Sequence, residues 1–383
     1  MYEPVLNERQ RRIDWALLTS LLGLMVIGVA FIYSATSVQE SISRLPWYRQ
    51  YYFLQILWFG LGLGAAFGFC LVDYHVWARW SLVLYWAMVA MLVAVLIPGI
   101  GALRFGARRW IDLGIFQFQP SEFSKLAFIF AQAHFLSRPA EELRQPAVFW
   151  KGIGMILLPF VLILREPDLG SALVLLPVGL VTMYVAGVPV AFLRRLMTGA
   201  TILIALLLVD ILFMPPGWWQ IKVQDYQRRR LLVYFGREDS YNVRQAMISV
   251  GAGGLTGKGW RQGAQTVLGF LPRGVAHNDF IFSVIAEEKG FIGSVTVLAL
   301  YTMVLFTGLR TASRARDRLG KLLAVGVVTL LFSHVFINIG MNIRIMPVTG
   351  IPLPLLSYGG SSVLCSLIAT GILQNVYYYR NSY

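Results

Sequence analysis

Acidic residues are scarce in this 383-residue chain: 19 Asp and Glu stand against 33 Lys and Arg, a net charge of +14. Cysteine is nearly absent. Cys70 and Cys365 fall in apolar stretches, where a small packing residue is the ordinary role. Two such positions make neither a disulfide framework nor a metal-type spacing. There is no HExxH, no GxxxxGK[ST] and no GxSxG, so nucleotide hydrolysis and zinc proteolysis have no support. Repeats and low-complexity tracts are missing too. Charge as a whole is thin, at 14% against about 25% in average soluble domains.

What fills the chain is apolar: 57% of its residues are hydrophobic. A span needs about 20 apolar residues, since 1.5 Å per residue must cross about 30 Å of hydrocarbon. Such segments recur near 14–35, 52–72, 76–98, 122–137, 148–164, 168–187, 196–214, 280–309, 322–342 and 358–379. Lipid demands that every backbone polar group be satisfied within the segment, and these runs do not alternate. The fold class expected is an all-α polytopic membrane protein of about ten transmembrane helices. Residues 1–383 read as a single membrane domain with two external excursions, 99–121 and 215–278.

The positive charge would suit nucleic acid, but it follows membrane topology instead. Arg9, Arg11 and Arg12, then Arg138 and Arg144, then Arg194 and Arg195, then Arg310, Arg314, Arg316, Arg318 and Lys321 sit at alternate span ends. These mark the cytoplasmic side, so both termini are expected inside and 215–278 outside. That loop carries nine Lys and Arg against three Asp and Glu. Long loops translocate largely regardless of charge, so its basicity needs another cause: an anionic substrate with one end in the lipid.

The loop returns to the membrane through His277-Asn278-Asp279-Phe280. Ionisable groups at membrane depth are functional candidates by default, which makes Asp279 the sharpest one. Glu287 lies two turns deeper. Gly251, Gly253, Gly254, Gly257 and Gly259 suit either a tight-turn loop or a surface that admits a phosphate or sugar. Pro120 and Glu122 suit the first turn of a helix, and Glu122 and Lys125 share a face. They read as a buried packing pair or as a cation and a carboxylate lining a cavity. Arg165 is an unusual cation in a short outer turn, and Asp168 caps a helix. His334, Asn338 and Asn342 form one polar stripe, read as interhelical hydrogen bonding and placed outside the site. A third excursion, 347–357, dense in Pro and Gly, opens the last helix.

Five stretches carry a resemblance: GARRWIDLGIFQFQPSEFSKLA at 106–127, EPDLGSAL at 166–173, SVGAGGLTGKGWRQGAQ at 249–265, HNDFIFSVIAEEKGFIG at 277–293, and INIGMNIRIMPVTGIPLPLLSYGGSS at 337–362. In this order the chain resembles the SEDS family (shape, elongation, division and sporulation). GKGW with GAQ, INIGM and the Pro-rich turn look closer to its RodA branch than to its FtsW branch. One departure is plain. Members usually run LPExHTDF, whereas here Leu271-Pro272-Arg273-Gly274-Val275-Ala276-His277-Asn278-Asp279-Phe280 has two extra residues, no Glu after the Pro, and Asn for Thr.

The resemblance implies a peptidoglycan glycosyltransferase of the bacterial cytoplasmic membrane that polymerises lipid II for cell elongation and shape. It implies a class B penicillin-binding protein as transpeptidase partner, beside other elongation-complex membrane proteins, and no nucleic acid. The family's essential aspartate falls on Asp279. Inverting transfer from an undecaprenyl-pyrophosphate donor needs one base, expected to be Asp279. Arg109, Lys125, Arg165 and Lys258, with Glu122 and His277, are expected to bind substrate and its pyrophosphate. A divalent cation, magnesium or manganese, could share that task, although no ligand cage is evident. A transporter of lipid-linked precursor and a non-catalytic scaffold are the alternatives.

Overall fold

The computed structural model describes residues 13–104, 106–114, 117–213 and 225–381. Arg9, Arg11, Arg12 and the start of the long loop lie outside the described residues. The helices of ten or more residues are α1 (Trp15–Ser37), α2 (Tyr51–Leu71), α3 (Ser81–Leu96), α4 (Pro120–Leu136), α5 (Pro146–Arg165), α6 (Leu169–Ala186) and α7 (Val190–Phe213). Next come α8 (Asp225–Tyr234) and α9 (Tyr241–Ala252) within the long loop, then α10 (Ile281–Ser313), α11 (Arg318–Asn342) and α12 (Gly360–Tyr379). Among the described residues, α1, α2, α5, α6, α7, α10 and α11 are long and apolar enough to cross a membrane. The protein is a membrane protein. Helices α3, α4 and α12 occupy the other expected spans. Helix α4 is buried along nearly its whole length, so it meets protein rather than lipid and can carry polar residues.

Local chemistry sets the helix ends. Asp14, Asp168 and Asp317 cap α1, α6 and α11, each accepting a first-turn backbone N–H at 3.1–3.3 Å. Helix α6 stops at Gly187, whose φ of 91° lets its N–H turn back to the last carbonyls. Helix α11 is buried on nearly every face and packs against α4, α6, α10 and α12. Inside this core Lys125 Nζ lies 2.7 Å from Glu122 Oε1 and 3.1 Å from His334 Nε2.

The fold is mostly helical, as expected, and the first excursion adds one small element to it. The first excursion folds as a small antiparallel sheet in the order β1-β2-β3, with β1 (Gly101–Arg104), β2 (Ala107–Asp112) and β3 (Gln117–Phe118). Residues 101–118 lack an apolar face of helical period. Gly106 and Gly114, at φ of 77° and 78°, supply the left-handed backbone between the strands.

The glycine-rich stretch of the long loop has a structural use. Helix α10 is broken at Gly290, whose φ of 63° and ψ of −156° are not helical. A break frees backbone groups that lipid cannot satisfy. Here the loop satisfies them: Lys258 N and Gly259 N donate to the carbonyls of Glu287 and Glu288 at 2.9 and 3.1 Å. In return Phe291 N and Ile292 N donate to the carbonyls of Gly254 and Leu255 at 2.8 and 3.1 Å. Gly257 has a φ of 82°, and a Cβ there would collide with the Glu288 carbonyl. Gly251 has open space around it. Gly257→Ala is therefore expected to lose more than about 1–3 kcal/mol through backbone strain alone. Gly251→Ala, in the last turn of α9, is expected to be neutral or slightly stabilising. Thermal unfolding of the two purified variants checks this; equal melting would remove the interlock from the account.

Candidate functional site

The three residues before Phe280, the N-cap of α10, are held by their carbonyls. Tyr358 N donates to His277 O at 3.0 Å, and Ser357 Oγ to Asn278 O at 2.5 Å. Asn338 Nδ2 and Asn342 Nδ2 both donate to Asp279 O, at 3.0 and 3.2 Å. Asn338 also reaches Ile351 O at 2.7 Å, and Ser283 Oγ donates to Asn342 Oδ1 at 2.6 Å. The polar stripe of α11 is thus a clamp on the Asp279 backbone. Upstream, the segment from Pro272 coils in tight turns: Ala276 N donates to Pro272 O, and Phe280 N to Val275 O.

The Asp279 carboxyl is left free by this arrangement. The N-cap of α10 is Phe280, so Asp279 does not cap the helix. Its Oδ2 lies 3.4 Å from where a Cβ at Gly350 would sit, under the Pro-rich turn. Burial pushes its carboxyl up to about 6, and the nearby charges of Arg230 and then Arg109 hold it from rising further, against Asp168. Arg230 comes from α8 and donates Nη1 to Thr349 O at 3.1 Å. Arg109 comes from β2; its Nε donates to Glu166 O at 3.0 Å and its Nη2 to Pro167 O. Two guanidinium groups and two carboxylates, Asp168 and Asp279, therefore form one charge cluster.

Asp168 is committed elsewhere as well. Its Oδ1 caps α6, and its Oδ2 accepts from Gln119 Nε2 at 3.3 Å and Ser121 Oγ at 3.4 Å. Glu166 is fully buried, with neither carboxyl oxygen hydrogen-bonded. Burial, reinforced by Asp168, pushes it up to about 9, so it is neutral at pH 7.

The other expected site residues lie apart from this cluster. Lys125 and Glu122 have side chains only 1% and 2% exposed and pair with each other, so their donors and acceptors face the core. Lys258 Nζ donates to buried Glu287 Oε1 at 3.0 Å, beside the break in α10. His277 packs against the rings of Tyr51 and Tyr358, which stack on each other at 4.5 Å; its centroid lies 4.9 and 5.8 Å from theirs. Burial pushes its imidazole down to about 4, so it offers no positive charge at neutral pH. Arg165 is exposed at the last turn of α5. At the start of α12, Gly359 N donates to Gln55 Oε1 at 3.3 Å and Ser361 Oγ to Gln117 O at 2.9 Å, which ties the turn to α2 and β3.

Sequence reasoning missed Arg230 and the two asparagines. Three consecutive arginines at 228–230 and an Asn pair spaced four apart were the available signals. Among the described residues no three His, Cys, Asp or Glu side chains gather as a metal cage.

A profile of cell cycle proteins of the FtsW, RodA and SpoVE type matches residues 14–382. Peptidoglycan glycosyltransferase MrdB of Escherichia coli K12 is 35% identical over 96% of this chain and 94% of its own length. Stage V sporulation protein E of Bacillus subtilis is 36% identical over 95% of this chain and 96% of its own length. Among solved structures, a chain of a peptidoglycan synthase complex that coordinates polymerization and crosslinking superposes with a TM-score of 0.79 at 28% identity, covering 97% of this chain and 99% of that one. The rod shape determining protein RodA of Thermus thermophilus gives 0.69 at 28% identity, covering 97% of this chain and 98% of that one.

Proposed function

The chain belongs to the FtsW, RodA and SpoVE family, and from that premise we propose that it is a peptidoglycan glycosyltransferase polymerising lipid II, with Asp279 as its general base. One observation carries the assignment of the base: a carboxyl freed from helix capping, backbone-clamped by Asn338 and Asn342, and balanced near neutrality between burial and two guanidinium groups. A base works best with a pKa near the working pH.

Asp279 takes the proton of the acceptor hydroxyl as its oxygen attacks the donor's anomeric carbon. The bond to the pyrophosphate oxygen breaks with inversion, and undecaprenyl pyrophosphate leaves. Arg109 and Arg230 meet the negative charge that develops on it, at an end of the bundle where burial strengthens each charge. Arg109 is held by two backbone carbonyls, so its place is fixed before substrate arrives. A divalent cation, magnesium or manganese, enters this account as a companion of the substrate's pyrophosphate rather than as a group the chain holds.

We place both termini and the basic ends of α4, α6 and α11 in the cytoplasm, and Asp279 at the outer face of the inner membrane. The partner we infer is a class B penicillin-binding protein, by likeness to the chain from the synthase complex. Purified protein, with and without that transpeptidase, is given labelled lipid II in detergent and in vesicles. A ladder of glycan supports the reading. Labelled lipid moved across the vesicle and recovered unchanged would favour a transporter.

A further inference from the structure

At the end of the bundle opposite Asp279, two cavities flank the turn between α6 and α7. The first is a groove of about 650 Å³ lined by Pro146, Phe149 and Trp150 of α5 and by Phe192, Arg195, Leu196, Gly199, Ala200 and Leu203 of α7. The second, about 780 Å³, is lined by Tyr184, Val185, Gly187, Val188, Pro189 and Val190, with Arg144 and Lys321 on its rim. Arg144 and Pro146 are two residues apart, as are Val190 and Phe192, so the cavities adjoin. Neither has an acidic residue in its lining.

The two halves differ in chemistry along the membrane normal. The groove is apolar below Arg195. From Phe192 to Leu203 it follows α7 for eleven residues, about 16 Å at 1.5 Å each, close to half of a hydrocarbon core of about 30 Å. Small residues Gly199 and Ala200 make the room; nothing lies within 4 Å of a Cβ built on Gly199. Helix α7 itself buries only Leu193 and Ile211 against protein. The second cavity carries Arg144 and Lys321 in its lining and the adjoining groove carries Arg195; all three are exposed. Arg318 does not join them; it is spent on the carbonyls of Arg138 and Ala186.

An apolar slot one leaflet deep, topped by three cations and with no acid in either lining, fits an amphiphile with an acyl tail and an anionic head. We propose that the cavities between α5, α6 and α7 form a binding site for one anionic phospholipid of the cytoplasmic leaflet, its acyl chain along Phe149, Trp150 and Leu203 and its phosphate among Arg144, Arg195 and Lys321. The site is separate from the Asp279 cluster and does not depend on the assignment of that cluster.

The test uses the full chain in nanodiscs of phosphatidylcholine with a small fraction of spin-labelled phosphatidylglycerol or, in parallel, spin-labelled phosphatidylcholine. Wild type is expected to immobilise phosphatidylglycerol at least about tenfold more strongly, each cation near the surface contributing about fivefold. The triple variant Arg144→Gln, Arg195→Gln, Lys321→Gln is expected to lose that preference. Gly199→Leu, which fills the slot, is expected to lose the immobilised lipid of both kinds. Arg194→Gln, an exposed neighbour outside the lining, is expected to retain the preference. Inorganic phosphate at millimolar concentration is expected not to displace the lipid; displacement would mean that the chain recognises a free anion. Equal binding of the two lipids by wild type overturns the proposal without any variant. So does an effect of Arg194→Gln equal to that of Arg195→Gln alone, which would reduce it to general surface charge.

Discussion

Asp279→Asn is expected to abolish glycan polymerisation, lowering the rate by about 10²–10⁴-fold, the usual contribution of a positioned base. The amide keeps the shape of the side chain and the backbone clamp from Asn338 and Asn342, which grips the Asp279 carbonyl and not its carboxyl. The fold should therefore survive, and should gain. Burial raises the native carboxyl to about 6 from its ordinary 3.8. A group whose native pKa lies above its unfolded value binds protons more tightly when folded. Wild type thus loses stability as pH rises from about 4 through 6, by up to about 3 kcal/mol. The amide has no charge to bury, so above pH 6 the variant should melt higher than wild type. Lost activity with raised melting separates a catalytic carboxylate from a structural one, whose removal would lower both. Retained polymer would take Asp279 out of the role.

Lys125→Met is expected to have the largest effect on stability. The ammonium is 1% exposed and lies 2.7 Å from a carboxylate that is 2% exposed. Breaking a buried pair from one side leaves a buried charge without its counterion and typically costs about 3–5 kcal/mol. The melting temperature should fall by roughly 4–6 °C. The double variant Glu122→Gln with Lys125→Met removes both charges, and should recover most of that loss. If the single variant melted like wild type but failed to bind lipid II, Lys125 would belong with the pyrophosphate after all.

The membrane helices were legible because their signal is local. Twenty apolar residues, a capping Asp at 168, and Pro120 at a helix start each announce themselves within one turn. Asp279 was legible for the same reason, as a carboxylate at the mouth of a span. The sheet at 101–118 was missed because the stretch was read only as an external excursion, and its turns rest on two positive-φ glycines. The glycines of 251–259 could suit a ligand or a turn; only the break at Gly290, some thirty-five residues on, shows what they fill. Arg230 and the Asn338–Asn342 clamp depend on contacts between distant parts of the chain. Local pattern gave Lys125 and Lys258 the same standing as Arg109, yet each lies beside its own buried glutamate. The Glu122–Lys125 pair is local and was one of the two readings the spacing left open, whereas the Lys258–Glu287 pair joins distant parts of the chain and no single-sequence pattern shows it.

The measurement that bears most directly on the central claim is the pH dependence of kcat/KM for lipid II polymerisation, which reports the base in the free enzyme. The rate should fall about tenfold per pH unit below about 6 and level off above it, following Asp279. In Arg230→Gln, where the larger of the two lowering charges is gone, the limb should move to higher pH. A profile flat from pH 5 to 8, in wild type and variant alike, would contradict a titrating carboxylate as the group that activates the acceptor.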